Sequence, residues 1–390
     1  MTNPFSLGMT KATALTRTGN LTEAVALIQS LMAQKTPDAP EADDTSVIDG
    51  TFVRLDGSAP GDDPKARPAP RAAPRAAPNP RPSLREALRT IAAGGMPASV
   101  RGKSAIAKMP DGAQFLDLTH DDGRQQRDYK LYIPANRPAH AMPLIVMLHG
   151  CTQSPDDFAA GTGMNALAEQ HGLLVAYPAQ PTGANANKCW NWFRPEDQRR
   201  DQGEPALIAG LTRAVALNYA VDRKRIYIAG LSAGGAAAAI MGSAYPDLFA
   251  AVGVHSGLAV GAASDIPQAF SAMRSGASGK GAVPAVPTIV FHGTADLTVH
   301  PSNGKAVVAQ ILRAFVGLKA TERKGVSAGG RSHRTTAYTD NAGRTMCEYW
   351  EIDGAGHAWA GGHANGSFTD PTGPSSSDAM LQFFLQHRGG

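Results

Sequence analysis

The stretch Arg225 to Met241, RIYIAGLSAGGAAAAIM, holds the reading on which the rest of the chain turns. Ile226 to Ala229 is a short apolar run of strand character, and the alanines from Ala236 onward favour a helix. Between them stand Gly230, Leu231, Ser232, Ala233 and Gly234. A serine at the tip of a tight strand-to-helix turn is held in strained geometry, and small flanking residues let the chain double back without collision. Such a turn presents the Ser232 hydroxyl above the end of a sheet, at the start of a helix. A GxSxG pattern is weak by itself in a chain with 42 glycines, and the strand before and helix after give it meaning.

Outward from this point, from about residue 113, apolar runs alternate with amphipathic or alanine-rich segments. The runs are Pro143 to Leu148, Leu173 to Tyr177, Arg225 to Ala229, Ala250 to Val254, Pro287 to Phe291 and Met346 to Ile352. Five of the six have almost no polar interruption, as strands buried on both faces of a mostly parallel sheet should. A hairpin precedes them, with Gln114 to Thr119 and Arg127 to Ile133 flanking the Asp122, Gly123 turn signal. Segments 164–171, 204–219, 233–244, 303–316 and 377–387 supply covering helices. The pattern predicts an α/β architecture over residues 113–390, with helices on both faces of the sheet.

The 390-residue chain is longer than this domain needs. Residues 1–35 read as short helices, with Asn20 and Glu23 resembling a capping box. Residues 36–82 read as a linker: eight of the 28 prolines fall between Pro60 and Pro82, in a tract that favours extended conformations. Residues 83–112 hold a second capping signature, Ser83 and Glu86, and a short helix ending near Gly94 and Gly95.

Net charge is +4, from 37 basic and 33 acidic residues, and several arginines lie in or beside the proline tract. The remainder is close to neutral, which argues against nucleic acid as a partner. No apolar run approaches the roughly 20 residues of a membrane span, and the N-terminus lacks the features of a secretory signal. Three cysteines, Cys151, Cys189 and Cys347, are too few for a disulfide-dense scaffold. Composition thus predicts a soluble, cytoplasmic protein.

A nucleophilic serine needs a base, and the base an orienting acid. Ligands of such sheets gather beyond the carboxyl ends of the strands, so the residues just after each run are the place to look. His292 and Asp296 follow one run, and Asp353 and His357 follow another. The chain order Ser232, Asp296, His357 is that of the α/β-hydrolase arrangement. Asp353 is an alternative acid, but it lies only four residues from His357 in one loop. His149, His255 and His292 also end apolar runs, and they read as hydrogen-bonded residues that shape the loops. Developing negative charge calls for backbone donors. The amide of Ala233 follows the nucleophile, and the amide of Cys151, in the loop after Leu148, is the second candidate. There is no metal motif and no phosphate loop, and the chemistry needs no cofactor.

These motifs resemble the esterases of the poly(3-hydroxybutyrate) depolymerase family, within the α/β-hydrolase superfamily and near the feruloyl and acetylxylan esterases. The segments that carry the resemblance are LHGCTQSPDDFAAGTGMNALAEQHGLLVAYPAQ, CWNWF, GLSAGGAAAAIMGSAYPDLFAAVGVHSG, PTIVFHGTADLTVHP and DGAGHAWAGG, within residues 148–362. The resemblance implies Ser232 as nucleophile, Asp296 as acid, His357 as base and Cys151 at the oxyanion position. It implies an extracellular location, the alternative to the cytoplasmic one. Secreted members carry a signal peptide and usually a C-terminal polymer-gripping module. This chain shows neither, so soluble oligomers or small acyl esters are the expected substrates.

Trp190 and Trp192, in a long connection after Tyr177, and Trp359, two residues past His357, read either as substrate contacts or as loop packing. Cys151 and Cys189 fall at the same end of the sheet, where a disulfide between them and free thiols are both open. Cys347 reads as a buried thiol. The expectation is a serine carboxylesterase acting through an acyl-enzyme. The alternatives are a feruloyl- or acetylxylan-type esterase, an acyltransferase with the same triad, and a non-catalytic polymer- or granule-binding protein.

Overall fold

Alternation within single strands shows how the core is built. In β3, Met142–Leu148, the residues Leu144, Val146 and Leu148 enter one apolar cluster, while Ile145 and Met147 enter another on the opposite face. β5, Val221–Leu231, divides the same way, with Ile226 and Ile228 on one side and Tyr227, Ala229 and Leu231 on the other. A strand covered on both faces has no polar positions to spare, which is why its sequence is continuously apolar. The structure, a computed structural model, describes residues 109–390 apart from Arg124. The expectations for residues 1–35, for the linker 36–82 and for the helix after Ser83 lie outside the described residues.

The ten-stranded sheet has the order β1-β2-β4-β3-β5-β6-β7-β10-β9-β8. The other strands are β1 (Gln114–Asp121), β2 (Gln126–Ile133), β4 (Leu174–Pro178), β6 (Ala251–His255), β7 (Thr288–Gly293), β8 (Lys319–Val326), β9 (Ser332–Thr339) and β10 (Thr345–Ile352). From β4 through β10 the six central strands are parallel. The hairpin β1–β2 adds antiparallel strands at one edge, and β9 and β8 do so at the other. The chain thus has the α/β-hydrolase fold, a mostly parallel sheet with helices packed on it.

One face is covered by α3 (Gly203–Asn218) and α4 (Ala233–Ala244), through Ile208, Leu211, Val215, Ala236, Ile240 and Met241. The other is covered by α1 (Pro155–Thr162), α2 (Met164–His171) and α7 (Ser376–Leu385), through Phe158, Leu167, Met380 and Phe384. Two further helices, α5 (Ile266–Ser275) and α6 (Ser302–Leu312), complete the first layer. Ser154 caps α1 by accepting the Asp157 amide, and the Asp156, Asp157 pair sits in its first turn, where carboxylates face the helix dipole favourably.

Each apolar run emerges as a strand within a few residues of its expected bounds. The strands β8 and β9 do not follow from the sequence pattern, and their composition explains it. KATERKGV and SHRTTAYT carry no apolar alternation, because β8 is an edge strand that is exposed at nearly every position and β9 is only partly covered. Charged residues on such an edge oppose pairing with other chains.

Position in the sheet sets the cost of truncation. Ile228→Ala at the sheet centre, where Ile228 is fully buried, is expected to lower the unfolding free energy by about 2–5 kcal/mol in guanidinium titration. Val326→Ala on the edge strand, where Val326 is 66% exposed, should change it by no more than about 0.5 kcal/mol.

Candidate active site

The parallel strands end level with one another. Leu148 pairs with Gly230, Leu231 with His255, His255 with Phe291, and Gly293 with Ile352. Cys151, Ser232, Asp296 and His357 each lie within five residues beyond these ends, so parallel topology gathers them along one edge of the sheet.

Ser232 has φ 59° and ψ −119°, a left-handed conformation that costs about 1–3 kcal/mol in a residue with a side chain. Its amide donates to His255 O at 2.9 Å. The turn closes only because two neighbours lack a Cβ. At Gly230 a Cβ would stand 2.3 Å from Gly234 O, and at Gly234 it would stand 2.1 Å from Leu148 O and 2.6 Å from His149 O. The serine turn therefore rests directly on the backbone of the loop after β3.

That loop is held in turn. Gly150 N–H donates to Gln153 Oε1 at 2.9 Å and Thr152 N–H to Asn187 O at 2.7 Å. The Cys151 amide between them has no protein acceptor among the described residues. Ala233 is the first residue of α4, and its amide is one of those a helix leaves unpaired. The amides of Cys151 and Ala233 thus lie on the two segments that meet at the serine turn. Cys151 is disulfide-bonded to Cys189, which clamps the loop from the other side. A disulfide is at odds with the cytoplasmic expectation, since reducing compartments keep thiols free. Cys347 is a buried free thiol.

Asp296 and His357 meet directly, His357 Nδ1 lying 2.7 Å from Asp296 Oδ2. The other carboxylate oxygen accepts the amides of Thr298 and Val299 at 2.9 and 2.8 Å. Burial opposes ionisation of Asp296, but hydrogen bonds from His292 and His357 and the Val299 amide outweigh it and hold the carboxyl well below the usual range. Asp353, the alternative acid, is exposed and does not bond His357. No hydrogen bond joins the Ser232 hydroxyl to His357 among the described residues. Nor does any group of three or more His, Cys, Asp or Glu there come together in a way that could hold a metal ion.

The remaining histidines are hydrogen-bonded residues of the loops. His149 contacts Gly150 O through Nδ1 and accepts the Gln180 amide at Nε2, and burial pushes it down to about 4. His292 Nε2 donates to Val299 O at 2.8 Å and lies 3.5 Å from Asp296 Oδ2. The three tryptophans pack as the loop-packing reading expects. Trp190 is fully buried and donates to His149 O, and Trp359, 1% exposed, donates to Ser377 Oγ. Trp192, 6% exposed, packs edge-on against Phe193. Their rings hold loops to the core.

A buried polar cluster beneath the loop is absent from the sequence reading. Gln180 donates through Nε2 to Cys189 O and to Glu204 Oε1, and accepts from Arg127 at 2.5 Å. Glu204 also accepts Asn191 N and Nδ2 at 2.8 and 2.7 Å. Burial, with the Asp197 charge beside it, raises Glu204 to about 7 against these bonds. The available signal was polar residues beside the strand-end loops, Gln180 just after β4 and Glu204 in the first turn of α3. Periodicity reads such positions as exposed.

Residues 127–332 match the sequence profile of a family described as Esterase PHB depolymerase, more than half of the chain. The chain belongs to this PHB depolymerase esterase family. It is similar to the poly(3-hydroxyalkanoate) depolymerase C of Paucimonas lemoignei, 35% identical over 242 residues that make up 58% of this chain and 57% of that protein. It is also 27% identical over 239 residues to a probable acetylxylan esterase A of Aspergillus clavatus, covering 55% of this chain and 74% of that protein. The chain thus spans little more than half the length of the depolymerase. Among solved structures, acetyl xylan esterase from Aspergillus awamori superposes with a TM-score of 0.56 at 21% identity, over 70% of this chain and 99% of that one. The family match includes Ser232 and Asp296 and ends before His357.

Two outcomes follow from this geometry. Gly234→Ala is expected to destabilise the fold by at least ~2 kcal/mol in thermal melts, because the new methyl meets backbone that cannot swing aside. Asp296, with its folded pKa depressed, contributes stability that is present above its unfolded value of about 3.9 and lost as pH falls through the folded value. The difference in melting temperature between wild type and Asp296→Asn should therefore be constant above about pH 5 and shrink on further acidification.

Proposed function

We propose that this chain is a serine carboxylesterase in which Ser232 is the nucleophile, His357 the base, Asp296 the orienting acid, and the amides of Cys151 and Ala233 the oxyanion hole. The observation that carries the reading is the 2.7 Å contact of His357 with a buried, ionised Asp296, on the same sheet edge as a strained serine turn. Asp296 accepts a hydrogen bond from Nδ1–H, which fixes the tautomer and leaves Nε2 as base. Bonds between nucleophile and base commonly tighten only with substrate in place.

In the reaction Ser232 Oγ attacks the acyl carbon and its proton passes to His357 Nε2. The carbonyl electron pair moves onto oxygen, where the two amides receive it. Collapse breaks the bond to the alcohol, which leaves with the proton from His357. Water then attacks the acyl-enzyme by the same route, releasing the acid and returning the proton to Ser232. Likeness to a poly(3-hydroxyalkanoate) depolymerase favours hydroxyalkanoate oligomers or short acyl esters as substrates. The disulfide favours an oxidising compartment, in line with the extracellular alternative.

Ser232→Ala should cost on the order of a millionfold in turnover of a chromogenic short-chain ester. A loss below about tenfold overturns the assignment. Labelling of the wild type by a fluorophosphonate, absent in that variant, separates an esterase from a non-catalytic binding protein. A panel running from acetate through hydroxybutyrate oligomers to feruloyl esters, with and without added alcohols, ranks the substrates and detects acyl transfer. Denatured, unreduced protein should give one reactive thiol, Cys347, and all three cysteines should react after reduction.

A further inference from the structure

His255 ends β6 at the centre of the sheet, between the strand that delivers Ser232 and the strand that precedes Asp296. It is 1% exposed and touches both halves of the site. Its main-chain oxygen accepts the Ser232 amide at 2.9 Å, and its ring Nε2 lies 3.0 Å from the amide of Ala360, three residues past His357. An amide can only donate, so Nε2 is the unprotonated nitrogen and Nδ1, 3.2 Å from Ser256 Oγ, carries the hydrogen. The ring is stacked between Phe291 and Trp359, with centroids 5.6 and 5.0 Å away. It cannot turn without breaking both stacks.

We infer that His255 is a positioning residue that sets the distance between nucleophile and base, through its carbonyl to Ser232 and its Nε2 to the His357 loop. The inference rests on the esterase reading above. Burial, helped by the nearby His292 and His357, pushes His255 down to about 3, so Nε2 remains an acceptor throughout the neutral range. No other histidine at the strand ends makes this pair of contacts. His149 serves the oxyanion loop and His292 the acid. Catalytic geometry is sensitive to such a spacer, since a displacement of about 1 Å can cost on the order of a hundredfold in rate.

His255→Phe keeps an aromatic ring in the stack and deletes the acceptor. Its expected effect is a fall in kcat of about 10- to 100-fold with KM within about twofold. His255→Gln places an amide oxygen near Nε2 and should bring kcat back to within about fivefold of wild type. A His255→Phe variant that keeps kcat within about threefold overturns the inference, as does a folded His255→Gln no better than folded His255→Phe. Should neither variant fold, nitrogen NMR of 15N-histidine-labelled wild type decides: an unprotonated Nε2 on His255 supports the inference, and a protonated one ends it. Ser232→Ala is measured in parallel. If it abolishes turnover while His255→Phe does not slow it, only this inference fails; if it retains turnover, the esterase reading fails.

Discussion

Backbone stands against backbone where the serine turn meets the loop after β3, and the site depends on that contact. With no Cβ at Gly230 or Gly234, the start of α4 settles onto the carbonyls of Leu148 and His149. This sets Ser232 at a left-handed φ, with the Ala233 amide directly after it at the start of α4. Strain of this kind persists only where the surroundings overdetermine the conformation. Here they do: Ser232 N–H is held by β6, and the strands on both sides are buried on both faces.

The loop that receives the turn is fixed by polar groups in the interior. Burying a carboxylate and a guanidinium is unfavourable unless their hydrogen bonds are met. Glu204 accepts from Gln180 and Asn191, and Gln180 accepts from Arg127 while its amide reaches the His149 ring. The cluster joins β2, the end of β4, the disulfide loop and α3 under one short segment. A second set, Gln153 with Asp157 and Ser367, ties the same segment to the chain that follows His357. The loop after β3 and the chain that follows His357 are thus tied together through this second set.

Much of the fold was legible because its signals are local or periodic. The six parallel strands announce themselves as apolar runs, since each is covered on both faces. Ser232, Asp296 and His357 could be ranked because catalytic side chains follow strand ends in a fixed order. The edge strands β8 and β9 gave no such signal, being partly or wholly exposed. The tryptophans were ambiguous for a related reason: an aromatic residue in a loop looks the same in sequence whether its ring covers a ligand or fills the core.

Sequence alone determined the class of sheet, the turn that carries the serine and the order of the candidate triad, because these depend on residue type and spacing along the chain. Only the tertiary structure decided which aspartate meets His357, that Cys151 and Cys189 are bonded, and that Trp190, Trp192 and Trp359 are buried. It also assigned separate partners to His149, His255 and His292. Each of these depends on contacts between residues far apart in sequence, and a hydrogen bond or stacked ring leaves no trace in the spacing of either partner.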